Sequence, residues 1–319
     1  MTVPKTLTLS NGVEMPIFGL GTWQSKPEEV VAAVKAAVKD GYRLIDTAAG
    51  YLNEDAIGQA LQELFAEGVV KRDELFITTK CPPDELGPDA IEASLRESLK
   101  KLKLDQVDLY LAHMPGAFDK DFKQLHEVKV EDIWRTLEGL YEKKLTRAIG
   151  ISNYSIAQVD RILKVAKVPI HNHQVELHLY FQQKALVEHA KQHNITVTAY
   201  APIGSPGRAA FVLPNGYKPE WPAAPSPLED QEVAALATKY SKSPAQILLR
   251  HLLQKGIAII PKSIHEARII ENNRIWDFEL TAEEVAKLDS APQNPRLFWQ
   301  DFLVGHPEDP FKEEREQKA

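Results

Sequence analysis

Arg43-Leu-Ile-Asp46, then Glu54 to Phe65, then Leu75-Phe-Ile-Thr-Thr-Lys80 reads as a strand, a helix and a second strand. The two short runs are apolar or β-branched and end in a charge. The stretch between them has helical spacing, with Asn53 placed to cap it and Glu54 and Asp55 in the favourable first turn. Outward from this unit the same alternation continues. Further strands are expected at Gly19-Leu-Gly21, Val107 to His113, Ala148-Ile-Gly-Ile-Ser152, Gln174-Val-Glu-Leu177, Thr196-Val-Thr-Ala-Tyr200 and Ile257-Ala-Ile-Ile260, which makes eight. Helices are expected at Pro27 to Lys39, Pro88 to Leu102 and Val130 to Lys143. Eightfold strand–helix alternation predicts an α/β chain folded as a single (β/α)8 TIM barrel over residues 1–319.

Three segments break the rhythm. Residues 1–18 alternate around Asn11-Gly12, a two-residue hairpin signal, and are expected to plug one barrel end. Residues 201–228 hold Pro202, Pro206, Gly207, Pro214, Gly216, Pro219, Pro222, Pro225 and Pro227, a loop long enough to be functional. Residues 291–319 carry Leu297, Phe298, Trp299 and Phe302, too apolar for a free tail, and are expected to cap the pocket.

The chain has 319 residues, 44% of them hydrophobic and 26% charged, the balance of a globular protein. A net charge of -7 gives no broad basic field, so no nucleic-acid partner is expected. No apolar run reaches membrane-spanning length and the N-terminus opens no apolar leader, so no membrane association is expected. Cys81 is the single cysteine and can form neither an intramolecular disulfide nor a cysteine-rich metal site. A cytoplasmic, reducing setting is the simplest expectation, and no metal is. No heptad or long apolar stripe argues against a monomer.

Barrel chemistry sits at the C-terminal strand ends. There the chain places Asp46, Lys80 and His113 on consecutive strands about 4.8 Å apart, with Tyr51 on the loop after Asp46. A lone phenol is a weak acid at neutral pH, but an adjacent ammonium lowers its pKa. Asp46 would hold Lys80, and His113 would offer a second hydrogen bond to the same substrate oxygen. The set suits a carbonyl oxygen that gains negative charge and then a proton; the hydride must come from a cofactor. Taken singly, each residue has a plainer reading as helix cap, solvated charge, packing or structural histidine.

On the opposite side, strand eight runs into Ile260-Pro-Lys-Ser263 and a helix from Ile264 to Asn273. Lys262 and Arg268 could hold a phosphate there, with help from the helix N-terminus. Ser263 and Glu266 could equally form a capping box. Gly204-Ser205 opens the long loop, which could fold over a pyrophosphate. Tyr200 could stack on a nicotinamide whose carboxamide meets Ser152, Asn153 and Gln174, although Ser152-Asn153 also reads as a strand-ending turn.

These residues together resemble the aldo-keto reductase family, nearest its aldehyde and aldose reductase branch. The resemblance runs through Gly19-Leu-Gly-Thr-Trp23, Gly41 to Glu54, Gly150-Ile-Ser-Asn153, Gln174-Val-Glu-Leu-His178 and Ile260-Pro-Lys-Ser263 to Asn272. It implies a barrel that uses NADPH/NADP+ to reduce small-molecule aldehydes and ketones. Tyr51 would be the proton donor, tuned by Lys80 and Asp46, with His113 orienting the carbonyl. Ser152, Asn153, Gln174 and Tyr200 would hold the nicotinamide. Lys262, Ser263, Arg268 and Asn272 would hold the adenosine end and its 2′-phosphate, and Thr22, Trp23, Asp46, Ile203, Ser205 and Glu271 complete the cofactor contacts. Trp23, Tyr51, His113, Met114, Trp221, Phe298 and Trp299 would line the substrate pocket. Met114 and Cys81-Pro82-Pro83 stand where the branch often has tryptophans, so two aromatic walls are missing.

Three other readings compete. A short-chain dehydrogenase would use Tyr180 and Lys184, but no GxGxxG follows a first strand. A metal-dependent barrel hydrolase would use His171 and His173, expected before strand six at the wrong barrel end. A non-catalytic NADPH-binding or structural protein could use the same barrel.

Overall fold

The computed structural model describes residues 3–212, 218–294 and 296–318. Met1, Thr2, residues 213–217 with Pro214 and Gly216 of the long loop, Pro295 and Ala319 lie outside the described residues.

A hairpin, β1 (Thr6–Thr8) and β2 (Glu14–Pro16), opens the chain. Eight parallel strands follow: β3 (Leu20–Gly21), β4 (Leu44–Asp46), β5 (Phe76–Cys81), β6 (Leu109–Ala112), β7 (Ile149–Ser152), β8 (Asn172–Glu176), β9 (Thr196–Tyr200) and β10 (Ala258–Ile259). They pair in chain order, and bridges Phe18↔Ile259 and Gly21↔Lys262 bring the first against the last. This is the (β/α)8 arrangement. The central strands are buried throughout, because helices cover one face and barrel-filling side chains the other.

The helices are α1 (Pro27–Lys39), α2 (Glu54–Ala66), α3 (Ile91–Leu102), α4 (Val130–Glu142), α5 (Ile156–Leu163), α6 (Lys184–Gln192), α7 (Gln231–Tyr240), α8 (Pro244–Gln254), α9 (Glu266–Asn272), α10 (Ala282–Asp289) and α11 (Lys312–Lys318). Pro27 pre-sets the first turn of α1, and Val30, Val34 and Val38 bury one stripe of it. Each such valine contributes about 1.5–3 kcal/mol. The third helix starts at Ile91 rather than Pro88. Among the described residues, no helix is long and apolar enough to cross a membrane.

Local expectations fail at four points. The hairpin loop is three residues, not two: Leu9 N–H donates to Val13 O (2.8 Å), leaving Ser10-Asn11-Gly12 to turn, with Gly12 at φ 84°. That matches a type I turn closed by a left-handed glycine. Asn53 does not cap α2; its carboxamide Nδ2 donates to Thr22 O and Ser25 O, both 3.0 Å, and Oδ1 accepts from Thr47 Oγ1. Ser263 and Glu266 form no capping box, because α9 begins only at Glu266, with His265 before it. His173 lies within β8, and only His171 precedes it.

Beneath the N-terminal strand ends, Leu9, Met15 and Ile17 are buried. Asn11 Nδ2 donates to Arg147 O just before β7 (3.0 Å), which ties the hairpin to that end.

Candidate active site

At the opposite, C-terminal end, β4 closes on Asp46 and β5 carries Lys80. His113 follows β6 directly, and a 3-10 turn, Ala49–Tyr51, delivers Tyr51 over the same point. Lys80 is fully buried and uses all three ammonium protons. It donates to Asp46 Oδ1 (2.5 Å), Thr47 O (2.8 Å) and Tyr51 Oη (3.3 Å). Asp46 Oδ2 accepts from Gln174 Nε2 across the barrel (2.7 Å). The His113 ring meets the Tyr51 ring edge-on at 5.6 Å. Asp46, Tyr51 and His113 line a cleft of about 1880 Å³, and Lys80 sits beneath it.

Burial dominates the electrostatics. It drives His113 down to about 3, with the Lys80 charge adding to the effect, so the imidazole is neutral at physiological pH. It raises Asp46 and lowers Lys80, each opposed by the other's charge. The acidified phenol expected from Lys80 is not found: burial, then the Asp46 carboxylate, push Tyr51 well above the ordinary phenol value. The physical reason is first that burial penalises a phenolate, and second that Asp46 matches the ammonium at contact, so the pair presents little net positive field to Tyr51. The phenol therefore keeps its proton. Burial also pushes the free Cys81 thiol up to about 12.

Around the cleft, Asn153 adopts a left-handed backbone (φ 64°). This turns its side chain back to donate to His113 O (3.0 Å) and accept from Tyr200 Oη (2.7 Å). Ser152, Gln174 and Tyr200 stand beside it on the lining. Further along lie Ile203, Ser205, Lys262, Ser263, Arg268, Glu271 and Asn272. Gly21 is required where β3 crosses this wall, since a Cβ would come 2.6 Å from Ile260 O. Lys262 Nζ reaches Gln24 O at 3.5 Å, and neither Lys262 nor Arg268 forms an ion pair with a described residue. Gln24 Nε2 and Trp221 Nε1 are buried on the lining with no hydrogen-bond partner among the described residues.

Thr22, Trp23, Met114, Trp221, Phe298 and Trp299 also line the cleft, so every candidate except buried Lys80 faces one space. Phe298 is the hub of an aromatic wall: its ring lies 5.6 Å from Trp23, 5.6 Å from Tyr200 and 5.3 Å from Trp221. Sequence reasoning missed Phe211, which packs on Trp23 at 5.0 Å, and Phe122 and Arg315 at the rim. An aromatic residue among the prolines of 201–228 was the available signal for Phe211. It also missed Glu176. This fully buried carboxylate accepts from the backbone N–H groups of Leu297 (2.7 Å) and Phe298 (3.0 Å), which clamps the C-terminal segment onto the end of β8.

The rival constellations do not assemble. Tyr180 Oη donates to Asp230 and Lys184 Nζ to Asp289 O, so the two serve separate contacts. His171 Nδ1 lies at hydrogen-bond distance from the Ile149 backbone, and His173 Nε2 accepts from Tyr154 N–H.

Residues 17–292 match the aldo/keto reductase family. The chain belongs to this family. It is 40% identical to aldo-keto reductase family 1 member A1 of Gallus gallus, over 96% of this chain and 97% of the relative. Identity to the Homo sapiens protein of that name is also 40%, over 96% and 97%. Among solved structures it is similar to the aldose reductase of Schistosoma japonicum, at TM-score 0.88 and 36% identity over 98% of this chain and all of that one. An aldo-keto reductase of Bombyx mori in complex with NADP aligns at TM-score 0.86 and 36% identity, over 97% and 99%. As an aldo/keto reductase the chain is an oxidoreductase, and its departures from the branch pattern acquire a place. Met114 is buried with Sδ 3.5 Å from Asn153 Nδ2. Pro82 and Pro83 form the wall beside Tyr51, and Cys81 lies buried behind them.

Proposed function

We propose that this aldo/keto reductase uses NADPH to reduce aldehydes and ketones to alcohols, with Tyr51 as the proton donor. The observation that carries the reading is the Lys80 ammonium, shared between Asp46 and the Tyr51 hydroxyl directly beneath the cleft. The carbonyl oxygen sits between Tyr51 Oη and the neutral His113 imidazole, which offers it an N–H. Tyr51 stays protonated until that oxygen gains charge, then gives up its proton. The Lys80 hydrogen bond stabilises the phenolate left behind. The nicotinamide cofactor supplies the hydride.

The lining suits such a group. Lys262 and Arg268, which form no ion pair with a described residue, would hold the 2′-phosphate, with Ser263, Glu271 and Asn272 beside them. The buried donors of Gln24 and Trp221, without a hydrogen-bond partner among the described residues, would find acceptors on such a group. Thr22, Trp23, Asp46, Ser152, Asn153, Gln174, Tyr200, Ile203 and Ser205 make up the rest of the cofactor wall. Trp23, Met114, Trp221, Phe298 and Trp299 shape the substrate side.

The same reading takes 1–319 as one domain, with 1–18 as a plug, 201–228 over the cofactor and 291–319 over the substrate. It places the protein in the cytoplasm as a monomer. The net charge of -7 argues against a nucleic-acid partner. Tyr51→Phe should lower turnover on an aromatic aldehyde by on the order of 10²–10⁴-fold while NADPH binding is kept. A variant with the parent rate would remove Tyr51 from its role.

A further inference from the structure

On the outer helical layer, away from the cleft, a second grouping stands apart from this chemistry. Asp160 lies on α5, His189 on α6, and His193 is the residue that closes α6. Positions 189 and 193 are one helical turn apart, so both imidazoles share a face; their ring centroids are 4.6 Å apart. Asp160 reaches over from α5, and its Oδ1 lies 2.8 Å from His189 Nε2. One donor atom from each of the three side chains lies within 4.8 Å of the other two. Among the described residues, this is the grouping of histidine, cysteine or acidic side chains with that spacing.

A hydrogen bond between His189 and Asp160 accounts for two of the three groups. The spacing on α6 sets the second imidazole against the first, where the His193 ring forms no side-chain hydrogen bond with a described residue. A shared cation satisfies all three. Metal–ligand bonds of about 2.0–2.2 Å leave neighbouring donor atoms roughly 3.3 Å apart, a contraction that the exposed His193 ring can supply by rotation. Two imidazole nitrogens and one carboxylate oxygen select borderline ions such as zinc, nickel or copper(II). Calcium and magnesium prefer all-oxygen shells. None of the three residues lines the cleft, so such an ion would join helices rather than take part in reduction.

We propose that Asp160, His189 and His193 bind one divalent transition-metal ion of the zinc class, which fastens α5 to α6. The test is calorimetric titration of chelator-treated protein with zinc chloride alone, then nickel chloride, with thermal unfolding followed in parallel. The expected result is one equivalent bound, a melting temperature that rises and saturates with zinc, and no effect of magnesium. His193→Ala and Asp160→Asn should each weaken zinc binding by roughly tenfold or more while carbonyl reduction stays at the parent level. His193 is exposed, so its removal should not disturb folding. Zinc binding that is unchanged in both variants would place the ion elsewhere and overturn the assignment, as would no binding at millimolar zinc.

Discussion

Replacing Lys80 by methionine tests the centre of the proposed site, because it separates what Lys80 does for folding from what it does for Tyr51. The methionine keeps an unbranched apolar stem, one atom shorter, and removes three hydrogen bonds, to Asp46, Thr47 O and Tyr51. Asp46 then remains a buried carboxylate whose only side-chain donor among the described residues is Gln174. Breaking a buried ion pair from one side costs about 3–5 kcal/mol, most of it the stranded charge. Turnover should also fall by on the order of 10²–10⁴-fold, since Tyr51 loses the group that stabilises its conjugate base. The double variant Asp46→Asn/Lys80→Met removes the stranded charge. Urea unfolding should show most of the lost stability restored, while the rate stays low.

The stability deficit of the single variant should also depend on pH. An unpaired, buried Asp46 titrates further above its ordinary value of 3.8 than it does in the parent. Between the raised folded value of the parent and the still higher one of the variant, the variant's folded carboxyl holds a proton that the parent's has released. The deficit therefore grows as pH rises through this window and shrinks towards acid. A single variant as stable as the parent, or a double variant that recovers both stability and rate, would refute the reasoning.

Lys262→Glu or Arg268→Glu should weaken NADPH far more than NADH in fluorescence titrations; equal losses would put the 2′-phosphate elsewhere. Glu176→Gln retains one acceptor oxygen and turns an amide N–H toward a backbone N–H. It should therefore loosen Leu297 and Phe298, raising KM for bulky aromatic aldehydes severalfold with little change in kcat for the smallest substrates. An unchanged KM across a substrate-size series would mean the clamp does not shape the pocket. Burial lowers His113 and His173 to about 3 and His171 to about 4, from an ordinary 6.5. Each therefore stabilises the fold fully above pH 6.5 and less as pH falls below it. Unfolding free energy should drop by up to about 1.4 kcal/mol per pH unit per histidine in that range. A flat stability profile from pH 6 to 4 would contradict this.

The parts of the site that were legible in the sequence are those whose position follows from strand count and strand end. Asp46, Lys80 and His113 could be placed together because parallel strands deliver their last residues to one rim, whatever lies between them. Tyr51 needed only a short turn after Asp46. What could not be read depends on which distant group a polar side chain meets. Asn53 has the position of a helix cap, yet its carboxamide is taken by Thr22, Ser25 and Thr47, fixed only once β3 lies beside β4. Glu176 looks like an ordinary strand-end acid until the backbone of Leu297 and Phe298, about 120 residues later, arrives to share it. The Tyr51 pKa failed for the same reason. Proximity to Lys80 was legible, but the sign of the effect was set by burial, reinforced by the Asp46 carboxylate that also neutralises the ammonium. Local pattern thus locates groups around a barrel, whereas the balance of charge among them is settled by nonlocal contacts. This is why the Asp46–Lys80 pair is the point at which a paired substitution tells the most.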